Sequence, residues 1–201
     1  MCVLLKKINV KAITLGFESS SDRVLKYIKN SQNSSVEKNR QAILLGEKYG
    51  ISIAGGLIIA SPTEKIEDMK KNNAFIDFAR KHKANRVWIQ IMTPFPNTKI
   101  WEIAKQRGKV TDDFDDYGNL KNRDKLNWNS LQVHNRDAAL LLDDDVPREE
   151  FLKEYNYSKK KCSFFAYTVF LKTIIKKPFN LFYFAMESEY YFKRLMLFIK
   201  Q

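Results

Sequence analysis

Three continuous apolar runs, Ala12 to Phe17, Ile51 to Ala60 and Val87 to Met92, set the tightest limit on how this chain can fold. Unbroken runs of this length read as parallel strands covered on both faces, because a half-solvated strand would alternate. Between and after them the apolar positions take helical spacing: Val36, Ile43 and Tyr49, then Ile66, Met69 and Ile76, then Ile100, Ile103 and Ala104. Gly50 and Gly108 stand where a left-handed residue ends a helix at little cost. Strand then helix, three times over, demands right-handed crossovers and a parallel sheet, so the predicted fold class is α/β. Three such units make a partial parallel (β/α) barrel and cannot close one.

A chain of 201 residues holds one core plus an appendage. Residues 1–110 carry the β/α pattern. Residues 111–145 read as a polar linker across the barrel mouth, with acidic clusters at Asp112, Asp113, Asp115 and Asp116 and again at Asp143 to Asp145. Residues 146–201 form a basic, helical extension that holds most of the 14 Phe and 9 Tyr. The formal charge of +12 points to an anionic partner: nucleic acid, a phospholipid surface or an acidic protein. Cys2 and Cys162 are the two cysteines, which excludes a disulfide framework and a clustered metal site and fits a reducing cytoplasm. The apolar stretch Met1 to Leu5 is too short for a signal peptide, and its lysines follow it rather than precede it.

Three segments lie at the predicted carboxyl ends of the strands, where β/α barrels gather their chemistry. They are Leu15-Gly16-Phe17-Glu18-Ser19, Gly56-Leu57-Ile58-Ile59-Ala60-Ser61-Pro62-Thr63-Glu64 and Thr93-Pro94-Phe95-Pro96-Asn97-Thr98. In order and spacing they resemble the radical S-adenosylmethionine (radical SAM) superfamily, its methylthiotransferase-like and cobalamin-dependent branches above all. The resemblance implies that they end the fourth, fifth and sixth strands of the family's barrel and bind the organic part of S-adenosylmethionine. It assigns Glu18 to the ribose hydroxyls, with Ser19 beside it, and Gly55, Gly56, Ile58 and Glu64 to the glycine-rich strand that approaches the cofactor. Met92 and Thr93 would lie against adenine. Glycine is usual in the family where this chain has Ala60, Thr63 and Asn97.

Each assignment has a structural alternative. Glu18 could favour the positive end of a helix over Ser19 to Ile28. Ser61, Pro62 and Glu64 compose a capping box with proline at the first helical position. Asn97 could cap the helix after Pro96.

Radical SAM chemistry also needs a 4Fe-4S cluster held by three close thiolates, and no C-x-x-x-C-x-x-C spacing occurs here. The reading is therefore the carboxyl-terminal piece of such an enzyme, split, truncated or degenerate, with the cluster supplied by a missing amino-terminal segment. That segment, or another chain, would cover the open edge of the first strand. The alternative is a non-catalytic scaffold or a module associated with a membrane surface. In the extension the apolar stretches Ser163 to Leu171 and Phe179 to Met186 are too short to span a bilayer. Two amphipathic helices hinged at Pro178 would either pack on the barrel or lie on an anionic membrane surface, with the chain cytoplasmic and peripheral. Nucleic acid ranks third, since lysine far outnumbers arginine there and no recognition motif appears. His82 and His134 read as solvated surface residues.

Overall fold

The computed structural model describes residues 1–95, 97–107 and 146–176, with side chains as far as residue 169. The three apolar runs form β1 (Ala12–Glu18), β2 (Ser52–Ile59) and β3 (Arg86–Ile91), a parallel sheet in the order β1-β2-β3. Ala12 pairs with Ser52 and Ile13 with Ile53, while Ala54 pairs with Arg86 and Leu57 with Ile89. The helices are α1 (Cys2–Lys7), α2 (Asp22–Lys29), α3 (Val36–Tyr49), α4 (Ile66–Lys81), α5 (Lys99–Gln106) and α6 (Arg148–Lys176). Strand, crossover helix and parallel strand recur, which makes this an α/β fold and a partial (β/α) barrel.

Burial along the strands alternates although their hydrophobicity does not. Ile53, Gly55, Leu57 and Ile59 are buried, whereas Ser52, Ala54, Gly56 and Ile58 between them are half-exposed. The buried face packs against α3, α4 and α6 in one core that joins Phe17, Ile43, Ile53, Leu57, Phe75, Ile76, Val87, Phe151 and Phe165. Phe17 and Phe75 meet edge to face at 5.0 Å between ring centres. The expectation of strands covered on both faces is met on one, because the described helices reach the other face only at its carboxyl end.

That end is covered by α5. Trp101 and Ala104 pack with Met92, and half-buried Ile28, Ile58, Ile100 and Ile103 surround them. Ile58 belongs to the open face, so α5 lies over the opposite side of the sheet from the main core. The helix that packs on β3 and α4 is α6. Its Phe151, Tyr155, Ser158, Cys162 and Phe165 recur at helical spacing and are buried. In the sequence, Ile100, Ile103 and Ala104 stand for the third covering helix; in the structure α6 takes that role.

Several local expectations are corrected. α2 begins at Asp22 rather than Ser19, since Ser19 to Ser21 are buried in the connection that precedes it. α4 begins at Ile66 with Lys65 as its cap, so Ser61-Pro62-Thr63-Glu64 is a turn before the helix and Pro62 is not its first residue. Thr98, not Asn97, caps α5, its hydroxyl accepting from the Trp101 N–H at 3.1 Å. His82 lies half-buried at the end of α4, its Nδ1 3.0 Å from Glu47 and its ring against Phe78, so it is no solvated surface residue. Gly50 does close α3 in the left-handed conformation, with φ 64°. Gly108, His134, Pro178 and the acidic linker lie outside the described residues.

No described strand pairs with β1 on its outer side. Lys11 turns its carbonyl to β2, where the Ser52 N–H donates to it at 2.8 Å. The carbonyls two and four positions further on share that direction, and the Gly16 carbonyl faces out. There the Lys29 ammonium donates to it at 2.7 Å. Lys29 belongs to α2, and its charge held against the edge discourages indiscriminate pairing.

Candidate functional site

The carboxyl end of β1 carries a bulge. Gly16 pairs with Gly56, and the next pair is Glu18 with Leu57, so Phe17 is the extra residue. Glu18 takes a left-handed conformation, φ 62°. A bulge bends the strand and re-aims its side chains. Here it folds the half-exposed Glu18 carboxylate over Gly16, with Oε1 2.2 Å from where a Cβ on Gly16 would stand. A side chain at Gly16 would have to displace the Glu18 carboxylate, a flexible group that can swing aside.

β2 supplies two glycines with different surroundings. A Cβ on Gly55 would lie 2.5 Å from the Leu15 carbonyl and 2.5 Å from the Phe17 ring, so this glycine serves the packing of the covered face. Gly56 looks onto the open face, where the Trp88 indole Nε1 stands 2.7 Å from its would-be Cβ. Of the residues proposed from sequence, the open face and its carboxyl rim hold Glu18, Gly56, Ile58 and Met92, and Gly55 points away from them. Thr93 is half-buried just beyond β3, its hydroxyl 3.4 Å from the Ile91 carbonyl.

Ser19 and Glu64 are turned inward and fully buried. The Ser19 hydroxyl accepts from the Ser21 N–H at 3.1 Å, and the Ser20 N–H donates to Asn72 Oδ1 at 3.0 Å. Glu64 Oε2 accepts from the Ser61 N–H at 3.1 Å. This is half of a capping box, formed across a turn rather than at the start of a helix. Burial pushes the Glu64 carboxyl up to about 8, against backbone hydrogen bonds from Ser61 and Ala60 and the attraction of Arg23. Glu64 Oε1, Ser20 Oγ and Asn72 Nδ2 are buried without a hydrogen-bond partner among the described residues. Asp68 behaves oppositely. Burial raises it, yet hydrogen bonds from Ser21, the Lys65 N–H, Arg23 and Lys71 outweigh that effect and hold it below the usual carboxylate range. Arg23 also donates to the Thr63 carbonyl at 2.7 Å and to its hydroxyl at 3.1 Å, tying α2 to the turn after β2.

Trp88, Arg23 and Asn72 escaped the sequence reading. Asn72 had a readable signal, a polar residue at core spacing between Met69 and Ile76. Trp88 had a weaker one, a large side chain at an alternate strand position, and nothing in the sequence marks the pairing of Arg23 with Asp68.

One feature of the rim suits the organic part of S-adenosylmethionine, a half-exposed carboxylate that can accept from ribose hydroxyls; Ile58 and Met92 beside it pack under the buried Trp101 of α5. The cysteines do not fit an iron-sulfur cluster. Cys162 lies in the main core, where burial pushes its thiol up to about 12, while Cys2 lies on α1. A metal ligand must be a thiolate, so the Cys162 site opposes ligation.

Comparison with known proteins adds a lineage. No family model matches the chain. A protein of Methanocaldococcus jannaschii provisionally named a methylthiotransferase is 33% identical over 100 residues, 50% of this chain and 21% of its own length. An uncharacterized methyltransferase of Pyrococcus horikoshii is 32% identical over 92 residues, 46% of this chain and 19% of its own length. The chain therefore matches about a fifth of the length of these curated relatives, and is similar to proteins named for methylthio or methyl transfer.

Proposed function

We propose that this chain is the S-adenosylmethionine-binding half of a radical SAM enzyme of the methylthiotransferase or methyltransferase kind. The observation that carries the reading is the bulge at Phe17, which brings the Glu18 carboxylate to the rim of an open sheet face. Glu18 would accept hydrogen bonds from the ribose hydroxyls, above the open face where the Glu18 carboxylate and the Trp88 indole take the space beside Gly16 and Gly56. Ile58 and Met92 would meet the adenine, with the main chain at Thr93 beside it. Ser19, Gly55 and Glu64 would act from beneath: Ser19 fixes the turn after Glu18, Gly55 admits the Phe17 ring, and Glu64 holds the turn after β2. When bound and reduced by one electron, S-adenosylmethionine supplies the radical that begins this class of chemistry. The reducing cluster does not fit this chain's residues and would be held by a further segment.

The names and short coverage of the archaeal relatives support the reading, as does the order of the three rim segments. Calorimetric titration of S-adenosylmethionine into an assembly that restores the barrel provides the test. Losing a charged acceptor of this kind costs roughly 1.5 to 3 kcal/mol, so Glu18→Ala should weaken binding by about tenfold or more. Glu64→Gln, buried beneath the rim, should leave affinity nearly unchanged. Equal affinity in Glu18→Ala and the parent protein would remove the assignment.

A further inference from the structure

α6 has two faces. Phe151, Tyr155, Ser158, Cys162 and Phe165 are buried against β3 and α4, and on the opposite side Lys153, Tyr157, Lys160, Phe164 and Tyr167 recur at the same helical spacing and are exposed. Tyr157, Phe164 and Tyr167 are 52%, 48% and 43% exposed, unusual for three aromatic side chains in one row. Lys159 lies beside the row, and Arg80 of α4 adds its guanidinium 5.6 Å from the Phe164 ring. Of the neighbouring acids, Asp77 is engaged with Lys161 and Arg80 and Glu154 with Asn73, while Glu149 and Glu150 are exposed at the amino-terminal end of the row. From Tyr155 to Lys176 the helix contains no acidic residue and five lysines.

We propose that this outer face of α6 docks on an anionic phospholipid surface. Aromatic rings interleaved with lysines suit the boundary between headgroups and acyl chains, where rings bury their apolar bodies and ammonium groups meet lipid phosphates. The net charge of +12 complements such a surface over a longer range. A single-stranded nucleic acid offers phosphates and stacking bases too. The cations of the row, however, are lysines, and the helix continues into the apolar sequence Val169-Phe170-Leu171, which favours lipid. Among the described residues no helix is long and apolar enough to cross a membrane, so the contact is peripheral. Because the docking face is opposite the core-facing stripe, binding leaves the packing of the sheet intact.

Flotation of the full chain with vesicles tests this. The chain should float with vesicles of phosphatidylcholine and phosphatidylserine at 7:3 and stay behind with pure phosphatidylcholine. Tyr157→Ser, Phe164→Ser and Tyr167→Ser combined should lower apparent affinity at least about tenfold, and so should Lys153→Ser, Lys159→Ser and Lys160→Ser combined. Both sets replace surface side chains, and an unchanged circular dichroism melt verifies that each variant folds. Failure of the parent chain to float would overturn the proposal, as would variants that float like the parent. Binding of single-stranded RNA through these aromatics, with vesicles ignored, would overturn it as well. None of these outcomes depends on S-adenosylmethionine.

Discussion

Burial of Glu64 makes the turn after β2 sensitive to pH. Its folded pKa of about 8 lies above its ordinary 4.5, so the folded state favours the protonated acid. The contribution to stability is fully present below pH 4.5 and is lost as pH rises towards 8, at roughly 1.4 kcal/mol per pH unit. Glu64→Gln retains an oxygen for the Ser61 N–H and removes the titration. Chemical denaturation from pH 5 to 8 should show the variant gaining on the parent as pH rises; parallel curves would mean that Glu64 is ionised in the fold. The same turn shows what the sequence could and could not convey. Ala60, Thr63 and Asn97 stand where the family resemblance calls for glycine, and all three adopt positive φ, 63°, 70° and 65°. Backbone geometry was legible through the residues that depart from the pattern. The burial of Glu64 and Ser19 was not, because it depends on how α4 closes over the loops.

At the scale of elements, the strands lie within a residue of where the apolar runs place them, and α3, α4 and α5 carry the helically spaced positions named for them. Helix starts were not legible, since a Ser-x-x-Glu spacing fits a turn and a helix cap equally well. α6 was legible as a basic aromatic helix, and its partner was not, because periodicity names a buried face without saying what covers it. The two faces of α6 make a direct comparison. Phe151→Ala empties a fully buried site in the main core and should cost about 3 to 5 kcal/mol in equilibrium unfolding. Tyr157→Ala on the outer face should cost less than about 1 kcal/mol. Similar losses at both positions would mean that the outer face is also packed.

For the molecule as a whole, three parallel strands with one covered face, and with no described strand on the outer side of β1, form a sheet that is incomplete by the physics of parallel sheets. That conclusion was available from counting strands. The Lys29 contact at the edge and the position of α5 over the open face were not, since both are tertiary choices that local sequence leaves open. If, as proposed, this sheet is the second half of a larger barrel, β1 offers the most direct measurement. No described strand lies beside the outward-facing main-chain groups of Thr14 and Gly16. Hydrogen exchange at these two amides, measured for the chain alone and for the chain co-expressed with an amino-terminal radical SAM half-barrel, tests this. Fast exchange is expected in the chain alone and strong protection in the assembly, as a parallel strand docks on β1. Amides that stay fast in the assembly, or are already protected in the chain alone, would contradict it.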